Sequence, residues 1–151
     1  MKFSLGRPKP QQALQTILFV CVENAGRSQM AEGFFNRYKP EGYVGISGGT
    51  KPVSQINPVA IEVMKEIGID ISNQKSKEIT EDAMRNSFKT VNMGCMDKEA
   101  CPTLFLPNVL DWKLEDPKNK PIERVREIRD EIDQRVKELV ASLKSSQSIN
   151  V

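Results

Sequence analysis

Ile17-Leu18-Phe19-Val20-Cys21-Val22-Glu23-Asn24-Ala25-Gly26-Arg27-Ser28 reads as a buried strand that runs into a cysteine, then a five-residue loop, then Arg-Ser at the head of a helix. A loop that closes onto a helix N-terminus points backbone N–H groups at one place and binds anions there. A cysteine at that place has its thiolate favoured by the same field. Arg27 can hold two oxygens of a tetrahedral oxyanion in its planar fork. The stretch therefore predicts a thiolate nucleophile, Cys21, aimed at phosphate, arsenate or a similar anion. The cradle around that anion is Val22, Glu23, Asn24, Ala25, Gly26, Arg27 and Ser28. Asn24 is suited to hold the loop through side-chain hydrogen bonds, and Gly26 leaves room for the backbone to approach the oxyanion. The plainer reading is a strand-end cysteine with Arg27 on the surface. It leaves the Ser28-Gln29 helix start straight after this loop without a purpose.

Outward from that stretch, strands and helices alternate. Thr16 to Val22 is strand-like, and a helix follows from Ser28 to about Tyr38 with Met30, Phe34 and Tyr38 on one face. Pro40 and Gly42 end it, and Tyr43 to Ser47 is a second strand. Asn57-Pro58 is a cap followed by a first-turn proline. It opens a helix to about Ile67 with Ala60, Met64 and Ile67 inward and Gly68 as its stop. Thr80 caps a short helix to about Asn86; Phe88 to Met93 and Val109 to Trp112 are the remaining strands. Lys120-Pro121 starts the last helix. There Ile122, Val125, Ile128, Ile132, Val136, Leu139 and Leu143 recur at helical spacing, as a core-facing stripe does. The expected architecture is α/β: a single-domain, four-stranded parallel sheet with helices on both faces. The domain is expected over 14–145, between a flexible tail at 1–13 and a frayed end at 146–151. Ligands of such sheets sit beyond the carboxyl ends of the strands. The Cys21 loop follows the first strand, Gly94-Cys95 the third and Asp116 the fourth, so topology alone gathers them at one edge.

Bulk composition narrows the chemistry. A chain of 151 residues with 38% hydrophobic and 28% charged residues fits one soluble domain. A net charge of +2 is too small to argue for nucleic acid or a membrane surface as a partner. The apolar runs are strand-length, and the first ten residues lack the apolar core of an export signal. With three cysteines and no such signal, a cytoplasmic, reducing setting is expected. The chain has no histidine, which excludes Cys–His hydrolases, imidazole acid–base pairs and His metal sites. Proton transfer is left to a carboxyl, a hydroxyl, a lysine or the thiols themselves.

The run Cys21 to Ser28, continuing Gln29-Met30-Ala31-Glu32, resembles the thioredoxin-coupled arsenate reductases, which share their fold with the low-molecular-weight protein tyrosine phosphatases. The resemblance extends through Asn57-Pro58, Ile67 to Ser72, Met93-Gly94-Cys95, Cys101-Pro102 and Asp116-Pro117, and so covers most of the chain. It implies a low-molecular-weight phosphatase-like domain with Asp116 as the proton donor to a leaving oxygen. It also implies a redox relay through Cys21, Cys95 and Cys101, recycled by thioredoxin or a similar dithiol. No metal and no organic cofactor are implied. A Cys-x5-Cys pair without other ligands is a poor zinc site. In some relatives a glutamate at the position of Glu32 helps to hold potassium. Here Lys75 and Lys77 stand in the segment that would complete that site, and an ammonium can take the cation's electrostatic place. In the phosphatase relatives aromatic residues commonly follow Asp-Pro and hold aryl substrates. Lys118-Asn119-Lys120 follow here, which argues against aryl-phosphate specialisation. A small phosphatase acting through a cysteinyl-phosphate is the alternative, and a non-catalytic anion-binding or phosphocarrier module the third.

Overall fold

The computed structural model describes residues 14–94 and 109–149. Four strands, β1 (Gln15–Cys21), β2 (Tyr43–Gly49), β3 (Lys89–Asn92) and β4 (Val109–Asp111), form one sheet in the order β2-β1-β3-β4. Every neighbouring pair is parallel. The helices are α1 (Arg27–Tyr38), α2 (Pro58–Lys65), α3 (Glu81–Asn86) and α4 (Ile122–Ile149). This is the α/β architecture that the alternation of patterns implies.

β1 is buried on both faces, which is why it reads as an unbroken apolar run. Its odd residues, Ile17, Phe19 and Cys21, pack with α1, α2 and α4 in the main core. Its even residues, Leu18 and Val20, pack with Ile46, Ile79 and the α3 residues Ala83 and Met84. Period two thus decides that the Cys21 side chain falls on the α1–α4 side. Met30, Phe34 and Phe35 of α1 are fully buried against that face. On α4, Val125, Ile128, Ile132, Val136, Leu139 and Leu143 are buried, and Ile122 is half-buried, so the stripe is core. Arg129, itself buried, ties α4 to α2 by donating from Nη1 to Val63 O and Glu66 Oε1, both at 2.9 Å. Glu66 is held below the usual carboxylate range, first by its hydrogen bond from Arg126.

Capping follows local chemistry. Asn57 Oδ1 accepts from Val59 N at 2.9 Å with Pro58 in the first turn, and Thr80 Oγ1 accepts from Ala83 N at 3.0 Å. Three expected boundaries shift. α2 ends at Lys65, because Ile67 N and Ile69 N both turn back to Met64 O and Gly68 follows at φ +82°. Ile67, expected inward, therefore lies 40% exposed in the terminating turn, and Ile69 and Ile71 take the buried places. Phe88 precedes β3 rather than opening it, and it is 42% exposed with its ring edge-on to Tyr43. α4 runs to Ile149, past the boundary expected near 145.

β1 sits between β2 and β3, so the chain leaves β1 to one side and returns to its other side. That reversal opens a crevice beyond the carboxyl ends of the strands. Cys21 is the last residue of β1 and stands at that crevice.

Candidate active site

The loop from Cys21 to Gly26 is held from outside by its carbonyls. Thr50 N donates to Cys21 O, Lys51 N to Val22 O, Val53 N to Glu23 O and Asn57 N to Ala25 O, at 2.8–3.2 Å. Gln29 Nε2 donates to Asn24 O, and Met30 N closes the first turn of α1 on Gly26 O. Six consecutive carbonyls are therefore occupied, four by the segment from Thr50 to Asn57 and two by α1. A peptide whose C=O faces the 50–57 segment carries its N–H on the opposite side, and Asn24 N, of the peptide whose carbonyl is Glu23 O, donates to Cys21 Sγ. Asn24 takes φ +51°, a left-handed turn that asparagine tolerates.

Around the sulfur, the directions of the amide hydrogen bonds can be deduced. Lys77 N, an obligate donor, reaches Asn24 Oδ1 at 2.9 Å, so that atom is the amide oxygen. Asn24 Nδ2 then donates to Ser28 Oγ at 2.7 Å. Gln29 Nε2 lies against the carbonyls of Asn24 and Lys75 as well as Asn24 Oδ1, so it is the amide nitrogen. Gln74 Nε2 donates to Gln29 Oε1 at 2.8 Å and fixes it in turn. Ser28 Oγ accepts from Asn24 and lies 2.9 Å from Cys21 Sγ. Against an ionised sulfur only Ser28 can be the donor of that pair. Asn24 N adds a second donor to the sulfur at 3.2 Å. Asn24, Ser28 and Gln29 are fully buried, so these bonds face little competition from water.

Arg27 is 7% exposed and lies between the two strand ends. Nη1 donates to Leu114 O at 2.9 Å and Met93 O at 3.2 Å, and Nη2 is 3.6 Å from Asp116 Oδ2. Asp116 is about half exposed and accepts from Lys118 N at 3.0 Å. The loop that carries it docks through Pro117: a Cβ on Gly26 would lie 2.8 Å from Pro117 Cγ. The room expected at Gly26 for an oxyanion is thus used, on that side, by the proline next to Asp116. Lys118 Nζ pairs with Glu23 Oε2 at 2.8 Å and joins the two loops across the mouth. This hydrogen bond raises the Lys118 ammonium above the usual lysine range. The cavity they enclose holds about 390 Å³ and is lined by Cys21, Ala25, Arg27, Val59, Asp116 and Lys118 among others.

The structure therefore gathers Cys21, Glu23, Ala25, Gly26, Arg27 and Asp116 at one cavity, while Asn24 and Ser28 are buried beside the sulfur and Val22 does not line the cavity. Cys95 and Cys101 lie outside the described residues. Glu32 accepts from Ser47 Oγ at 2.6 Å, and Lys77 Nζ stands among Glu32 Oε1 (3.6 Å), Ser47 Oγ (3.2 Å) and Lys75 O (3.1 Å). Reading the sequence missed Gln29 and Gln74 as supports of the loop. Gln29 shares its helix face with Glu32 and Asn36, so nothing in the pattern marks it, and nothing marks Gln74.

A cysteine and an arginine with five residues between them, at the end of the first strand of a parallel sheet, mark an enzyme of the phosphatase-like α/β class. The chain belongs to the low molecular weight phosphotyrosine protein phosphatase family, whose model matches residues 16–148. Arsenate reductase 2 of Staphylococcus haemolyticus is 40% identical over 120 residues, which span 78% of this chain and 90% of that protein. Among solved structures, an arsenate reductase in the phosphate binding state superposes with a TM-score of 0.76 at 32% identity, covering 85% of this chain and 98% of that one. A Corynebacterium glutamicum thioredoxin-dependent arsenate reductase gives 0.74 at 38% identity, covering 89% of this chain and 64% of that one.

Proposed function

We propose that this protein is an arsenate reductase that works by a three-cysteine relay in the cytoplasm and is recycled by thioredoxin. The observation that carries the reading is the Cys21 cradle: the Asn24 amide and the Ser28 hydroxyl on the sulfur, and Arg27 pinned by scaffold carbonyls at the same cavity. It is supported by the 40% identity to an arsenate reductase and by the spare cysteines 95 and 101.

In the proposed sequence the Cys21 thiolate attacks arsenic and forms an S–As bond. One arsenate oxygen leaves as water, taking its proton from Asp116. The loop amides and Arg27 carry the charge on the remaining oxygens. The Cys95 thiolate then attacks the Cys21 sulfur. The S–As bond breaks with its electron pair on arsenic, which leaves as arsenite, and a Cys21–Cys95 disulfide remains. Cys101 attacks Cys95, freeing Cys21, and the Cys95–Cys101 disulfide passes to a dithiol such as thioredoxin. Two thiols are oxidised for each arsenic reduced.

Phosphate and arsenate are near-isosteric, so the same cradle also fits a phosphomonoester. The family's phosphatases make hydrolysis through a cysteinyl-phosphate the second reading. One experiment separates the two. Fully reduced protein is incubated with excess arsenate and no other reductant, and free thiols are counted with disulfides mapped by mass. A reductase turns over once and goes from three free thiols to one; a phosphatase keeps all three.

A further inference from the structure

We infer that Gly94 is the positioning residue for Arg27: its missing side chain is the seat in which the guanidinium lies. A Cβ built on Gly94 would collide with Arg27 Nη1 and lie 2.7 Å from Cζ and 3.3 Å from Nη2. Three guanidinium atoms thus occupy or crowd the space that any other residue would need. The backbone completes the seat. Met93 O, in the peptide joining Met93 to Gly94, accepts from Nη1, and Leu114 O, after β4, accepts from the same nitrogen. Gly94 itself is at φ +150°, and its N–H donates to Asn92 Oδ1 at 3.2 Å, which anchors the turn to the end of β3. Nη1 is spent on two carbonyls of the scaffold. The Nη2 edge is left toward Asp116 and the cavity.

The consequence is a fork aimed by the main chain. An arginine side chain has many rotamers, and an exposed one would lose most of its freedom on gripping an oxyanion. Here that freedom is removed during folding by two carbonyls and a glycine, so the donors are set before the anion arrives. Because side-chain volume at position 94 must be zero, Gly94 sets oxyanion affinity without touching the oxyanion. This inference rests on the oxyanion reading of the loop, and its test keeps the two apart.

The experiment is a double-mutant cycle on the full chain: Gly94→Ala, Arg27→Ala and the pair. Two readouts are used, inorganic phosphate affinity by calorimetry and thermal midpoint. Arg27→Ala and Gly94→Ala are each expected to weaken phosphate binding at least about tenfold, the worth of one charge-assisted hydrogen bond. The pair is expected to bind no worse than Arg27→Ala alone. Gly94→Ala should lower the midpoint more in the wild-type background than in the Arg27→Ala background, where the guanidinium is gone. The strain of a side chain at φ +150° is the same in both backgrounds and cancels. If Gly94→Ala does not fold but the pair does, the seat is confirmed. Equal losses of midpoint in both backgrounds, or failure of both variants to fold, overturn it, because Gly94 then serves backbone conformation alone. Wild-type phosphate affinity in Arg27→Ala overturns the oxyanion reading instead, and the midpoint cycle still decides the seat.

Discussion

Replacing Ser28 by alanine removes one hydroxyl and tests the direction of the bonds around the Cys21 sulfur. Ser28 Oγ accepts from Asn24 Nδ2 at 2.7 Å and lies 2.9 Å from Cys21 Sγ. Once the sulfur is ionised, its two donors are the Ser28 hydroxyl and Asn24 N. A hydrogen bond to a charged group contributes about 1.5–3 kcal/mol, which is roughly a 10- to 150-fold change in an equilibrium or a rate. Sulfur is a soft, weak acceptor, so the lower part of that range applies. The change also leaves buried Asn24 Nδ2 without Ser28, at a stability cost of about 1–3 kcal/mol. Asn24 Oδ1 keeps its bonds from Lys77 N and Gln29 Nε2, so the loop should stay folded. The assay is the second-order rate of iodoacetamide addition to Cys21, followed by mass at neutral pH so that the three cysteines are resolved. Ser28→Ala is expected to react about tenfold more slowly. Ser28→Thr, which restores a hydroxyl, is expected to recover most of the rate. A Ser28→Ala protein that is folded and alkylated at the wild-type rate would refute the assignment of Ser28 as donor.

Three further predictions come from other parts of the molecule. Asp116→Asn should slow phosphate-ester hydrolysis by about 10²–10⁴ for poor leaving groups and far less for good ones, as loss of a proton donor does; kcat across a series of aryl phosphates checks it. Lys77→Met takes the ammonium away from Glu32, whose side chain is only 14% exposed, and should destabilise the fold by about 1–3 kcal/mol in urea titration. Adding Glu32→Gln should return much of that loss, since the stranded charge is then gone. Tyr38 is pushed up to about 12 by burial and then by its hydrogen bond to Asp133. The unfolded chain gives up that proton near pH 10 while the folded chain keeps it. The native state then binds more protons, so stability falls as pH rises from about 10 to 12. Urea midpoints across that window should drop more steeply for the wild type than for Tyr38→Phe.

The fold was legible because its dominant signals are local. An apolar run buried on two faces, an Asn57-Pro58 cap, a Thr80 cap and a seven-residue stripe on α4 each carry their own physics. The errors fall where a tertiary contact overrides a local pattern. Ile67 fits the helical period of α2, yet Gly68 at positive φ turns the chain so that Ile69 and Ile71 can be buried. Phe88 has strand propensity, but Thr16 O takes its N–H at the bottom of the sheet and its ring rests on Tyr43.

At the site, the sequence reveals side-chain chemistry but conceals contacts that end on backbone. Cys21, Arg27, Ser28 and Asp116 are recognisable because their functional groups are their side chains. What holds them in place is different in kind. Arg27 is pinned by the carbonyls of Met93 and Leu114, and the loop by amides from Thr50 to Asn57. Any residue but proline supplies such an amide, and any residue at all such a carbonyl, so no letter in the sequence marks them. Glycine is the exception, since the absence of a side chain is itself readable. Gly26 and Gly94 look alike as letters in and after a loop, and a reading by turn chemistry treats both as backbone freedom. In the structure each is a vacancy with one occupant: the Pro117 ring against Gly26 and the Arg27 guanidinium against Gly94. The first brings the Asp116 loop against the loop that follows Cys21, and the second seats the Arg27 guanidinium beyond the end of β3. A glycine beside a charged cavity is therefore to be read by asking which neighbour fills its missing side chain.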